Sequence, residues 1–468
     1  MKILFNCCIF FFSLSIVAQD TLIDSLSFQE YMGYVKQHHP LVKQANLTLN
    51  TGEANLLKAK GGFDPKIEVD FNRKKFKNTE YYNELNATFK VPTWYGVEFK
   101  ANFEQNSGAF LSPDLSVPDD GLYSAGVSIS LAQGLLINDR MASLKKARFF
   151  REQSKADRDL LVNNVLFEAG MAYTQWLEAA NEERIFSNFL TNANTRFLAV
   201  KRSSETGQVA AIDSVEAKIA LQNRKLSFEA AKLKRIKAAL KASNYLWLQG
   251  IPLEIEERIF PSKPSIDDLN MALMIKQSLI DSLALDSHPK LRSLENKIEA
   301  LKVDRNLKMN KLLPKLDVQY NFLSEDYEPL QRFNTANYKA FVNFSVPLFL
   351  RKERGDLKLA KLKLQDVNYE RTSQMLTIKN KISAISNEMT SLDKQEDIVN
   401  DVVSNYKVLL KGEERKFFLG ESSLFLINSR ERSLIDAQLK ENSIIIKRLE
   451  SSIQFFNTLG VSPIDRIE

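Results

Sequence analysis

The chain has 468 residues, 44% of them aliphatic or aromatic and 26% charged, with a formal net charge of +6. Those shares exclude a disordered chain and a multi-span helical membrane protein, and the length suits either several domains or one elongated body. Basic and acidic residues alternate, as in KKARFFREQSKADRD (residues 145–159), and no basic tract interleaved with aromatics marks a nucleic-acid surface.

Residues 1–18 read as a secretory signal, with Lys2 as the charged end, an apolar stretch around residues 9–12, and predicted cleavage after Ala18. Both cysteines, Cys7 and Cys8, fall inside it, so the processed chain is expected to carry no thiol, disulfide or cysteine-bound metal. Beyond residue 20 no apolar run reaches the ~20 residues a helical span needs. Any membrane crossing must then be made by strands.

Two short helical segments come first, over residues 26–39 and 42–60, divided at His38-His39-Pro40-Leu41. Next, Ile67, Val69 and Phe71 alternate with Glu68, Asp70 and Asn72, the period of a strand with one wet and one greasy face. The pattern recurs at Leu85, Ala87, Phe89 and Val91, at Val97, Phe99, Ala101 and Phe103, and at Ala125, Val127, Ile129 and Leu131. Trp94-Tyr95-Gly96 and the Ser/Pro/Asp-rich residues 107–121 separate them as turn and loop.

No proline follows between Pro118 and Pro252. A helix over residues 140–204 would be about 100 Å long at 1.5 Å per residue. Past Gly207 the return arm places Ile212, Ile219, Leu226, Leu233, Leu240 and Trp247 seven residues apart, which predicts a coiled-coil seam. Small residues, Ala217, Ala220, Ala230, Ala231, Ala238 and Ala239, flank it.

After a Pro- and Glu-rich connector (residues 251–266) the order repeats. A helix over residues 267–285 leads to Ser287-His288-Pro289; the interval from Pro40 to Pro65 equals that from Pro289 to Pro314. Strands follow at Leu316, Val318, Tyr320 and Phe322, and at Ala340, Val342, Phe344 and Val346. A second long helical stretch covers residues 355–418, and past Gly420 a seam runs through Ile435, Leu439, Asn442, Ile446, Leu449, Ile453 and Phe456. This predicts a tandem duplication: residues 19–250 with strands over about 66–131 and a hairpin over about 140–249, and residues 267–468 with strands over about 315–347 and a hairpin over about 355–458. The first copy carries an extra strand pair at about residues 80–106, whose place relative to the other strands stays open.

The ordered set of His39-Pro40-Leu41, His288-Pro289-Lys290-Leu291, YSAGVSISL (residues 123–131), YKAFVNFSVPLF (residues 338–349) and the tips TGQVAAIDSVEA (residues 206–217) and GESSLFLINSRE (residues 420–431) resembles the TolC outer-membrane efflux family over nearly the whole processed chain. The fold the resemblance implies is mostly α with membrane β. Long helical hairpins would form a periplasmic tube, and strands from three copies would pool into one outer-membrane barrel in contact with lipid. Four to six strands are too few to close round water, which agrees. The implied function is a passive exit duct, not an enzyme, for an efflux pump or type I secretion system. Its implied partners are a periplasmic adaptor and an inner-membrane transporter. A secreted coiled-coil scaffold or adhesin with a soluble β head is the alternative from another class.

The residues agree with a non-catalytic role. His38, His39 and His288 all precede or adjoin proline at helix ends, and no HExxH, Walker loop or GxSxG elbow is present; no metal or cofactor is expected. Gly207, Asp213, Ser214, Gly420 and Ser423 are the candidate adaptor-docking residues, with Asp213 and Ser214 equally readable as caps of the returning helix. Leu424, Phe425 and Leu426 are candidates for an apolar constriction, and Ser429, Arg430 and Glu431 beside them are further pore-lining candidates. The family often places carboxylates where this chain has Leu426 and Ser429. Arg430, Glu431 and Arg432 are expected to tie neighbouring helices together.

Overall fold

In a computed structural model, residues 25–274, 285–326 and 335–461 are described. The expected signal with Cys7 and Cys8 lies outside them, as does most of the helix expected over residues 267–285, of which Ile266–Ala272 is seen. Among the described residues the α-helices are α1 (Phe28–His38), α2 (Pro40–Lys60), α3 (Asp139–Glu205), α4 (Ala211–Ser243), α5 (Ile266–Ala272), α6 (Pro289–Asn310), α7 (Arg351–Phe418) and α8 (Leu424–Leu459). The six long strands are β1 (Lys66–Phe76), β2 (Thr79–Pro92), β3 (Val97–Ser107), β4 (Leu122–Ser130), β5 (Lys315–Ser324) and β6 (Tyr338–Ser345).

The two His-Pro sites begin helices as well as end them. His39 and His288 are the N-caps of α2 and α6, each with extended backbone, and each is followed by proline at the first helical position. The His39 Nδ1 accepts from the Leu41 N–H at 3.2 Å and the His288 Nδ1 from the Lys290 N–H at 3.1 Å. An imidazole thus does the work usually given to Ser or Asp.

All six strands form one antiparallel sheet in the order β6-β5-β4-β3-β2-β1. The extra pair, β2 and β3, is hydrogen-bonded into it between β1 and β4. Register keeps the predicted alternation in phase: Phe89 lies opposite both Ile67 and Ala101, Ala125 opposite Ala101 and Phe322, and Ala340 opposite Tyr320. One largely apolar face and one largely polar face result, with Leu323 and Phe341 on the polar side and Arg73, Asn83 and Gln105 on the apolar side.

The long arms are single helices of 67 and 68 residues, α3 and α7, each returning through a tip to α4 or α8. Where α1, α3, α4, α5 and α8 converge, Phe28, Tyr31, Tyr173, Trp176, Leu269 and Phe456 form the largest core. The Tyr173 hydroxyl lies 2.8 and 2.7 Å from the carbonyls of Leu26 and Ser262. Among the described residues no helix is long and apolar enough to cross a membrane.

The two seams behave differently. On α8 Ile435, Asn442, Ile446, Leu449, Ile453 and Phe456 are buried. On α4 Ile212, Ile219, Leu226, Leu233 and Leu240 are exposed, Leu226 at 72%, and Trp247 lies beyond the helix end. The face α4 turns inward is the small one, with Ala217, Ala231, Ala239 and Ala242 buried. Small side chains let α4 lie close on α3, so the seven-residue row is left pointing away from the chain.

Candidate functional site

Two regions carry candidate function, the two-faced sheet and the hairpin tips. On the polar face Lys90 pairs with Glu68 across β1 and β2. Thr88 Oγ1 donates to Asn102 Oδ1 at 2.7 Å and Asn102 Nδ2 to Glu104 Oε1 at 2.9 Å. Ser130 Oγ donates to Asp317 Oδ1 at 2.7 Å. Lys100 on β3 donates to Gln319 on β5 at 3.0 Å, passing over the intervening strand at Gly126. A Cβ at Gly126 would stand 2.1 Å from the Tyr320 carbonyl oxygen and 2.3 Å from Asn321 Oδ1. The glycine is therefore required by close approach. This ladder of charged and amide groups is a water-facing surface. The opposite face, with Ile67, Val69, Phe71, Phe99, Val342 and Phe344 exposed, is too large an apolar patch for a soluble surface.

At the first tip Gly207 (φ +75°) turns the chain in open space. The N-cap of α4 is Ala210, which makes no side-chain bond, so neither Asp213 nor Ser214 caps the helix. Asp213 sits in its first turn, where a carboxylate favours the helix dipole. At the second tip Gly420 (φ +81°) takes the same role, and Ser423 caps α8 by accepting from the Leu426 N–H.

The constriction candidates divide. Leu424 is buried against Val200 and Ala217, whereas Phe425 (69%), Leu426 and Ser429 are exposed. The partly exposed Arg430 lies 3.8 Å from Glu413. Glu431 is not on a surface at all: it is 1% exposed, and its carboxylate accepts from Arg196 Nη1 at 2.5 Å and Arg224 Nε at 3.0 Å. Leu424 and Glu431 are thus interior to the chain, because α8 turns these positions toward α3 and α4. Arg196 also reaches Glu414 on α7 at 3.4 Å. Two carboxylates and two guanidiniums thereby join all four arms just behind the tips. Sequence reasoning singled out Glu431 but missed Arg196 and Arg224, which are 235 and 207 positions from it along the chain, and Glu414, which carries no local signature.

No family model matches the chain. The pyoverdine export outer-membrane protein OpmQ of Pseudomonas putida is 20% identical over 312 residues, which are 66% of this chain and 64% of that protein. The chain thus spans slightly under two thirds of that relative's length. Among solved structures, the Campylobacter jejuni CmeC outer-membrane channel superposes with a TM-score of 0.65 at 14% identity, over 94% of this chain and 86% of that one. The open state of the Neisseria gonorrhoeae MtrE outer-membrane channel gives 0.63 at 15% identity, over 92% and 88%. The Vibrio cholerae outer-membrane protein VceC gives 0.61 at 11%, over 92% and 95%. Superpositions of that extent show that the chain has the fold of the TolC-type outer-membrane channels.

Proposed function

We propose that three copies of this chain form an outer-membrane exit duct for an efflux pump or type I secretion system. Their sheets pool into one barrel, and their hairpins form a tube reaching through the periplasm. The observation that carries this is the sheet: six strands with one apolar and one hydrogen-bonded polar face, ending in two open edges. An apolar face suits lipid, and a polar face suits a water-filled passage.

The exposed row Ile212, Ile219, Leu226, Leu233 and Leu240 on α4 supports the same reading. So does a second exposed seven-residue row, Leu362, Tyr369 and Leu376, on α7. Such rows are seams wanting a partner helix, and neighbouring copies supply one. The tips, with Gly207, Asp213, Ser214, Gly420 and Ser423, are the surface offered to a periplasmic adaptor. Phe425, Leu426 and Ser429 are the residues nearest the tip free to line its opening. With no nucleotide motif in the sequence, transport energy comes from an inner-membrane transporter coupled through the adaptor.

The test is fractionation and reconstitution of the full chain. A duct resists carbonate extraction, migrates as a heat-modifiable trimer in detergent and conducts ions in bilayers. A secreted scaffold is released by carbonate and does not conduct.

A further inference from the structure

Among the described residues the sheet borders no other strand beyond β1 on one side and β6 on the other. Inside a bilayer such edges are untenable, since hydrocarbon offers no water to satisfy an unpaired backbone N–H or C=O. We propose that β6 of one copy pairs antiparallel with β1 of the next, with β2 and β3 in the wall, so that three copies close a barrel of eighteen strands. The occupant of each edge is a second copy of this chain; the number three rests on the duct reading above.

Strand direction permits the closure. β1 leaves α2 and β4 runs back into α3; β5 leaves α6 and β6 runs back into α7. Every neighbouring pair is antiparallel, and the strand count is even, so the two edges run in opposite senses. Residue stagger then sets the register. The cross-strand row starting at Lys66, the first residue of β1, passes Lys90, Lys100, Gly126 and Asn321 and ends at Lys339. Lys339 is six residues before Ser345, the last of β6. Six strands therefore climb six residues. With strands about 4.8 Å apart and about 3.4 Å rise per residue, that ratio is a tilt of about 35°, inside the barrel range.

Closing with this stagger sets Lys66 opposite Ser345 of the adjacent copy. All eight residues of β6 then pair with residues 66–73, and the register irregularity at Lys74/Lys75 falls just past the last pair. The same register keeps the faces in phase. It sets Ile67 opposite Phe344, Val69 opposite Val342, and Phe71 opposite Ala340, all on the apolar side. A slip of one residue would turn every one of them to the wrong face. Eighteen strands also enclose an aqueous channel, where about eight would be filled by side chains.

The experiment is disulfide trapping in the full chain with Cys7→Ala and Cys8→Ala. Three double variants test the seam: Val69→Cys with Val342→Cys, Ile67→Cys with Phe344→Cys, and Phe71→Cys with Ala340→Cys. The expected result is a covalent trimer on non-reducing gels for all three, collapsing to monomer with reductant. Val69→Cys with Asn343→Cys, one residue out of phase, is expected to stay uncrosslinked. A control pair, Ile67→Cys with Phe89→Cys, closes within one chain and reports that β1 is folded against β2. Trimers that persist in detergent but link at none of the three pairs overturn the eighteen-strand seam and leave the duct standing. A covalent product that stops at dimer, or links only out of phase, also overturns it. Absence of any trimer, covalent or not, removes the duct reading itself.

Discussion

Arg196 on α3 donates to the buried carboxylate of Glu431 on α8 at 2.5 Å, and Arg224 on α4 completes the triad at 3.0 Å. The contact joins the two hairpins just behind their tips. Arg196 is also within 3.4 Å of Glu414 on α7, so no arm can swing outward without stretching it. A switch of this kind acts only if the open and closed states differ in the contact.

Glu431→Ala leaves two guanidiniums facing each other in a largely closed space. Breaking a buried pair by removing one partner costs about 3 kcal/mol or more. The expected outcome is a lower unfolding temperature of the helical arms together with a larger or more often open conductance in bilayers. Unchanged conductance would confine the triad to a structural role.

Leu426→Asp adds a carboxylate at an exposed position two residues inside α8. If Leu426 lines the opening, reversal potentials in a salt gradient shift toward cation preference. No shift places it off the pathway, and Phe425→Asp then tests the neighbouring position.

Leu226→Glu and Leu233→Glu separate folding from assembly. Both leucines are exposed in the isolated chain, so helix content by circular dichroism is expected to stay the same. The trimer on native gels is expected to fall several-fold, because a charge enters a seam built for apolar contact. Retention of the trimer would mean that this row faces solvent.

Gly126→Val drives a side chain into the Tyr320 carbonyl and Asn321. The neighbouring strand must separate, and the yield of membrane-inserted protein is expected to drop at least several-fold. Full insertion would show that β4 and β5 part freely.

His288 supplies a pH dependence. Its Nδ1 accepts from the Lys290 N–H, and its Nε2 meets the Thr458 carbonyl at 3.1 Å; the neutral ring protonated at Nε2 satisfies both. Burial holds its pKa below the ordinary 6.5, as it does for His39. The unfolded chain therefore binds protons at a higher pH than the folded one. The stabilisation is complete above about pH 6.5 and is lost as pH falls toward the depressed folded value. Thermal melts between pH 8 and 5 are expected to show this loss, and His288→Asn, which keeps a capping side chain, is expected to reduce it, with His39 supplying the remainder. Equal slopes in the two proteins would contradict the assignment.

The strands were legible because alternation such as Ile67-Glu68-Val69-Asp70-Phe71 leaves little choice, and the arms because long proline-free stretches admit nothing else. What the pattern could not carry was direction and distance. Heptad spacing on α4 marked an apolar row but not its side, which the alanines facing α3 decide. The place of β2 and β3 depended on pairings such as Ala87 with Val69 and Phe103, and alternation alone is the same for a strand inside a sheet or laid over it. Glu431 was visible as a tip residue, yet its partners lie 235 and 207 positions away, beyond any local motif.

The most direct measurement of the duct itself is ionic current through the purified full chain in a planar bilayer, read alongside its mass in detergent. The account predicts discrete current steps from a species with the mass of three chains. A chain that stays monomeric and soluble without detergent, and leaves the bilayer silent, would contradict it.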